Sequence, residues 1–180
     1  MTELAFISLG SNIEPELNLI AAAKALTSLG QPVAASNVYR NPAVGPTPQP
    51  DFLNAAVLVS TDEAPLDIRH HLRQMEAQLG RQRTDDKYAP RPIDLDLCLW
   101  GNRILSQAGL YLPDPDLLER PHLAVPMAEL DPDFIHPITR TTLAAIAADL
   151  SPHADLHLLP HCSQRFQKAF LPHDQPDENR

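Results

Sequence analysis

Nineteen prolines in 180 residues constrain this chain more than any other feature. Proline fixes φ and lacks an amide donor, so it interrupts helix interiors and sheet ladders alike. Regular elements must then be short and punctuated by many turns, which argues against a purely helical bundle. Residues 40–51 (RNPAVGPTPQPD) concentrate four of the prolines and a glycine, and can hold no regular element.

Between these breaks the apolar pattern places the elements. Residues 4–9 (LAFISL) read as a strand closed by Gly10-Ser11-Asn12. A helix follows from about Pro15 to Leu29, with Pro15 suited to a first helical position. Residues 33–39 and 52–60 read as the second and third strands. A second helix runs from Leu66 to Leu79, its face built from Leu66, Ile68, Leu72, Met75 and Leu79; Gly80 ends it. After a charged loop at 81–92, residues 93–100 (IDLDLCLW) form a fourth strand. The order βαββαβ predicts an α+β, ferredoxin-like sandwich with one sheet face under helices and the other free. Short strands near Ile104 and 110–112, and helices near 123–130 and 141–150, add a C-terminal extension. The chain reads as one domain over 1–160 and a loose tail over 161–180.

Composition removes several classes of function. A net charge of −9 argues against broad binding to nucleic acid or anionic lipid. No apolar run approaches the ~20 residues that cross a bilayer, and the N-terminus does not read as a secretion signal. Cys98 and Cys162 make no disulfide framework, so a reducing cytoplasm is expected. Four of the eight histidines fall at 151–180 without regular ligand spacing and read as surface decoration. The basic residues, in contrast, are concentrated. Arg69, Arg73, Arg81, Arg83, Lys87 and Arg91 are six of the 14 lysines and arginines, and such clustering predicts either a local anion site or a solvated helix face.

The fourth strand carries the sharpest signal. Alternation puts Ile93, Leu95, Leu97 and Leu99 on one face and Asp94, Asp96, Cys98 and Trp100 on the other. The leucine face belongs under the helices, leaving two carboxylates roughly 7 Å apart on the opposite face. Like charges so close need a cation or an arginine between them, and hard oxygen ligands select Mg²⁺. Solvated aspartates on an open face, or the metal pair of a sugar-nucleotide transferase, fit an Asp-x-Asp equally well. On the third strand, Leu53, Ala55, Val57 and Val59 should face the helices, while Phe52 and Asn54 share the aspartates' face. A ring beside an amide suits a flat, hydrogen-bonding heterocycle. Arg81, Arg83 and Arg91 flank the aspartates, with Arg73 and Glu76 on the preceding helix. Arginine forks match phosphate. No phosphate-binding glycine loop is present, so a triphosphate would be held by metal and arginine.

Taken in order, GSN at 10–12, YRNPAVGP at 39–46, QPDFLNA at 49–55, QMEAQLGRQR at 74–83 and KYAPRPIDLDLCLWGN at 87–102 resemble the 6-hydroxymethyl-7,8-dihydropterin pyrophosphokinases of folate biosynthesis. The resemblance spans about residues 4–150. It implies transfer of the β,γ-pyrophosphoryl unit of ATP to a pterin hydroxymethyl group with release of AMP. It implies two Mg²⁺ ions on Asp94 and Asp96, with Arg81 and Arg91 completing the catalytic set. ATP contacts then fall on Arg73, Glu76, Arg83, Tyr88, Leu97, Asp114 and Arg120. Pterin contacts fall on Asn41, Pro42, Val44, Phe52, Asn54 and His122. Segments 40–51 and 81–92 correspond to the family's lids. The implied partners are small molecules only, with a monomer or weak homodimer. Asp114 stands where the family commonly has a histidine, and needs a metal or Arg120 beside it if phosphate is near. His122 replaces a stacking Phe, Tyr88 a frequent Trp, and Arg73 a frequent Gln. A paralogue, or a non-catalytic pterin- or nucleotide-binding module with an altered phosphate grip at Asp114 and His122, is the alternative.

Overall fold

The computed structural model describes residues 2–82, 84, 86 and 88–171. Its prolines act as starting points as well as breaks. Four helices, α1 (Pro15–Leu26), α2 (Pro65–Gln78), α3 (Pro121–Leu130) and α5 (Pro160–Phe170), open with proline in the first turn, where the missing amide would have had no partner anyway. The other helix, α4 (Leu143–Leu150), is capped by the Thr142 hydroxyl, which accepts the Ala145 N–H at 3.1 Å. Gly80, at φ 90°, follows α2 in a conformation that glycine adopts without penalty.

The main sheet contains β1 (Glu3–Ser11), β2 (Gln31–Ala35), β3 (Tyr39–Asn41), β4 (Phe52–Thr61), β5 (Asp94–Trp100) and β8 (His157–Leu158). It is antiparallel, in the order β5-β1-β4-β3-β8, with β2 also pairing to β4. A hairpin of β6 (Leu105–Gln107) and β7 (Leu110–Leu112) stands apart. The single strand expected at 33–39 is divided into β2 and β3. Ser36 interrupts it, its N–H bonding the Ala56 carbonyl at 2.9 Å while its hydroxyl accepts the Ala56 N–H at 2.8 Å.

Two cores lie on the two sheet faces, which corrects the expectation of one free face. Ala5, Ile7, Leu9, Leu53, Ala55, Val57, Val59, Leu95 and Leu97 pack with α1, α2 and α5. Phe6, Ala56, Leu58, Cys98 and Leu99 pack with α3 and α4. Helices therefore cover part of the second face, leaving its other end open.

The expected alternation of 93–100 also fails at one point. Phe6 pairs with Leu99 but Ile7 with Leu97, so Cys98 is an extra residue in β5. Such a bulge shifts every later side chain to the opposite face. Leu99 consequently joins Cys98 in the α3–α4 core, and Trp100 packs toward the α1–α2 side. Asp94 and Asp96 precede the bulge and keep the face the pattern predicts.

The tail expected from 161 is corrected as well. Residues up to Phe170 form α5, with Phe166 and Phe170 fully buried against α1 and the sheet. Residues 172–180 lie outside those described. Among the described residues, no helix is long and apolar enough to cross a membrane.

Candidate active site

The open end of the second sheet face forms the floor of a cavity of about 430 Å³. Antiparallel register sets Asn54 and Asp94 on either side of Gly10, and Asp96 opposite Ser8. Gly10 leaves the floor low. A Cβ there would sit 3.1 Å from the Asn54 Oδ1.

Part of the cavity lining suits a flat polar ligand. Asn41, Pro42, Val44, Phe52, Asn54 and His122, the six residues expected for the pterin, all line it. The Asn54 side-chain N–H donates to the Asn41 Oδ1, and Asn41 in turn donates to the Pro42 carbonyl at 2.9 Å. These bonds orient both amides before any ligand arrives. His122 is held below its usual basicity by burial first and by the nearby Arg120 second, with Asp116 opposing. Its neutral form is therefore favoured at the cavity wall.

The rest of the lining gathers charge. Asp94 has each carboxylate oxygen engaged by a different guanidinium: Oδ1 by Arg81, and Oδ2 by Arg91 at 2.6 Å. Burial acts to raise its pKa, but the two arginines outweigh it and hold the carboxyl below the usual range. Asp96 has the opposite balance. Its side chain is open to solvent at the cleft floor yet surrounded by protein on most sides. Burial, then the charges of Asp94, Asp114 and Glu76, push its pKa up to about 7, with Arg81 opposing. Asp114 is also raised, by burial first and the Asp116 charge, against the Asp116 N–H and Arg120. Among the described residues, the cleft thus carries more carboxylates than arginines.

The remaining expected residues divide into three groups. Tyr88, Arg91, Asp114 and Arg120 line the same cavity. Arg73 and Leu97 line a second cavity of about 290 Å³, whose wall also includes Asp96, Asp114 and Asp116. Glu76 and Arg81 stand behind the wall. Glu76 is only 1% exposed, and its Oε1 accepts from Arg81 and from the Leu95 N–H at 2.9 Å. In this arrangement it supports Arg81 and the β5 backbone. Arg83 lies outside the described residues. Arg120 pairs with Asp116 at 2.7 Å rather than with Asp114, while the Asp114 carboxylate caps the turn at 115–118 through the Asp116 N–H.

Sequence reasoning missed Asp116 and Tyr111, which line these cavities, whereas Arg69, counted in the basic cluster, lines the second. The alternation in β7, Leu110 and Leu112 buried with Tyr111 exposed, could have flagged Tyr111. Asp116 carried no distinguishing local signal.

An antiparallel α+β scaffold with a cleft whose lining divides into a flat-ligand part and an arginine–carboxylate part defines a class of small-molecule group-transfer protein. The sequence model of the 7,8-dihydro-6-hydroxymethylpterin-pyrophosphokinase (HPPK) family matches residues 6–132, and the chain belongs to that family. Relatives include the 2-amino-4-hydroxy-6-hydroxymethyldihydropteridine pyrophosphokinase of Synechocystis sp., 37% identical over 77% of this chain and 72% of its own. The protein of the same name from Pseudomonas aeruginosa is 34% identical over 82% and 93%. Among solved structures, wild-type Plasmodium falciparum HPPK-DHPS superposes with a TM-score of 0.63 at 12% identity, a likeness of fold. The match covers 83% of this chain but 45% of that one, so the present chain spans less than half of that protein.

Proposed function

We propose that this chain transfers pyrophosphate from ATP to 6-hydroxymethyl-7,8-dihydropterin, releasing AMP, as a step in folate biosynthesis. The observation that carries this reading is the single cavity in which the six pterin-side residues meet Asp94, Asp96 and Arg91. Family membership supports it independently.

In this reading the pterin lies against Phe52, and the preset Asn54 and Asn41 amides read its polar edge. Pro42 and Val44 close one side, with neutral His122 across the ring. The hydroxymethyl group then points toward Asp94 and Asp96. ATP occupies the second cavity beside Leu97 and Arg73, and its phosphates run past Asp96 toward Arg91 and Arg120. The pterin hydroxyl oxygen attacks the β-phosphorus and releases its proton to solvent, the bond from that phosphorus to the oxygen bridging the α phosphate breaks, and AMP leaves with the bridging oxygen. Positioning and charge compensation supply most of the catalysis in such transfers.

The excess of carboxylates around Asp96 and Asp114, together with an all-oxygen donor set, fits a hard divalent cation. Among the described residues no group of three or more His, Cys, Asp or Glu side chains converges as a ready metal cage, which suits Mg²⁺ shared between one or two carboxylates and substrate phosphates. Asp96 and Asp94 would hold it, Asp94 once its arginines turn toward phosphate. The ion supplies charge neutralisation on the phosphoryl oxygens.

The reading extends to a ferredoxin-like sandwich as the core, in keeping with the strand order β5-β1-β4 flanked by β2 and β3. It extends also to one domain working as a monomer or weak homodimer in the cytoplasm, in keeping with two free buried cysteines.

Purified protein with ATP, Mg²⁺ and the hydroxymethyl pterin should form AMP in stoichiometric amount, scored by nucleotide chromatography. Release of ADP instead, or of neither nucleotide, would overturn the reading. Asp96→Ala should lower turnover by at least about 100-fold, since an exposed floor carboxylate contributes charge at the transition state and no core packing. Its circular dichroism spectrum should match the parent.

A further inference from the structure

Glu129 and Tyr39 line neither cavity, yet they join the two elements, α3 and β3, that carry His122 and Asn41. On β3, Tyr39 pairs with Asn54 and Asn41 with Phe52. Directly opposed residues of an antiparallel pair share a face, so Tyr39 and Asn41 stand on the second sheet face, about 7 Å apart along the strand. On α3, His122 and Glu129 are two turns apart on one side of the helix, about 10 Å along its axis. Asn41 and His122 both line the cavity, whereas Tyr39 and Glu129 bond each other. The Glu129 Oε1 accepts the Tyr39 hydroxyl and the Asn37 side-chain N–H at 3.0 Å, and Oε2 accepts the Asn37 backbone N–H at 2.7 Å.

The strand side of this clasp is fixed without α3. Ser36 bonds Ala56 of β4 through both its N–H and its hydroxyl. From the other side α5 holds Val38, whose N–H donates to the Ser163 hydroxyl at 2.8 Å and whose carbonyl accepts the Leu159 N–H at 3.0 Å. The helix side is held differently. Arg120, just before α3, bonds the Asp116 carbonyl through its N–H at 2.9 Å and pairs with the Asp116 carboxylate at 2.7 Å. That turn is tied to β5 by the Asp114 N–H on the Cys98 carbonyl at 2.8 Å. Beyond it, α3 rests on buried Leu123, Ala124, Met127 and Ala128. Apolar burial is non-directional, and leaves a small rotation of the helix about its own axis inexpensive. Pro126 also denies the His122 carbonyl its helical partner. The bonds at Glu129 are directional and oppose that rotation from the far end. Because His122 shares the side of α3 that carries Glu129, the rotation they block is one that would turn the imidazole. Arg120 stays with Asp116 in either case.

We propose that Glu129, with Tyr39 as its partner, is a positioning residue that fixes the rotation of α3 and so the place of His122 relative to Asn41 and Asn54, setting affinity for the acceptor and sparing the nucleotide. This inference rests on the pterin reading above, which supplies the acceptor.

The test is a double-mutant cycle. Calorimetric titration would give the affinity for 6-hydroxymethylpterin, with Mg²⁺ and α,β-methylene ATP saturating, in the parent, Glu129→Ala, His122→Ala and the double variant. Glu129 is exposed, so its truncation opens no cavity in either core. Tyr39→Phe keeps the ring and loses one bond, and takes its place in the cycle if Glu129→Ala does not fold. Glu129→Ala should weaken the pterin about fivefold and Tyr39→Phe about threefold, the order of one spoiled ring contact. The nucleotide analogue, titrated alone, should bind each variant as it binds the parent. In the His122→Ala background neither change should produce a further loss, because the ring they position is gone. A purely structural role would lower the melting temperature and weaken the pterin by the same factor with or without His122. Equal losses in the two backgrounds, or no loss in a folded single variant, overturn the inference and leave the functional reading standing. A parent that does not bind the pterin overturns both.

Discussion

At the scale of single residues, the site depends on side chains whose neighbours have already fixed them. Asp94 and Asp96 are two residues apart and chemically identical, yet one is held ionised by two guanidinium groups and the other is raised to about 7 by burial and surrounding acids. The motif located both carboxylates, but their different electrostatics come from Arg81, Arg91, Asp114 and Glu76, which the strand alone does not reveal. Gly10 is a second case. Its missing side chain keeps space beside Asn54, and a methyl group 3.1 Å from the Asn54 Oδ1 would press on the amide that bonds Asn41. Gly10→Ala should therefore raise the KM for the pterin by about tenfold, the order expected from one lost hydrogen bond of about 1 kcal/mol together with poorer packing, and leave the KM for ATP nearly unchanged. Steady-state kinetics with each substrate varied in turn would measure it.

At the scale of elements, α5 was the largest departure from expectation. PHCSQRFQKAF is polar overall, and although Cys162, Phe166, Ala169 and Phe170 recur at helical spacing, the histidine- and proline-rich background obscures that face. Only when Phe166 and Phe170, one turn apart, meet α1 does the segment gain a core. Phe166→Ala should destabilise the fold by about 3–5 kcal/mol, the usual range for emptying a buried aromatic site; urea denaturation would show it, and a change under about 1 kcal/mol would return α5 to the status of an appendage. The bulge at Cys98 is the counterpart in a strand. Periodicity predicted 93–98 correctly and failed from 99 onward, because a one-residue insertion is set by pairing with Phe6 and Ile7 and leaves no mark in the local pattern. The bulge lies beyond the aspartates, which is why the site reading survived it.

At the scale of the whole molecule, α3 is tied back to the far edge of the sheet through one carboxylate. Glu129 accepts the Asn37 backbone N–H at 2.7 Å, its side-chain N–H at 3.0 Å, and the Tyr39 hydroxyl. Burial, then the bond to Glu129 and its charge, push the Tyr39 phenol from about 10 up to about 12, with Asn37 opposing. A pKa raised on folding makes its contribution fully present below the unfolded value and lost as pH rises toward the folded one. Stability should thus fall between about pH 10 and 12 more steeply in the parent than in Tyr39→Phe; denaturation midpoints across that interval would show parallel slopes if the contact were immaterial.

The sequence by itself determined the alternation of strands and helices through β5 except for the break between β2 and β3, the inward faces of β4, and the presence of two carboxylates, a ring and an amide on one side of the sheet. These follow from period and breaker residues, which act over a few positions along the chain. The tertiary structure alone decided that helices cover half of that side, that Glu76 lies behind the wall, that Arg120 pairs with Asp116, and that Glu129 reaches across to Tyr39 and Asn37. Each of these depends on contacts between residues far apart in the chain, whose energies appear only when the packed neighbours are in place.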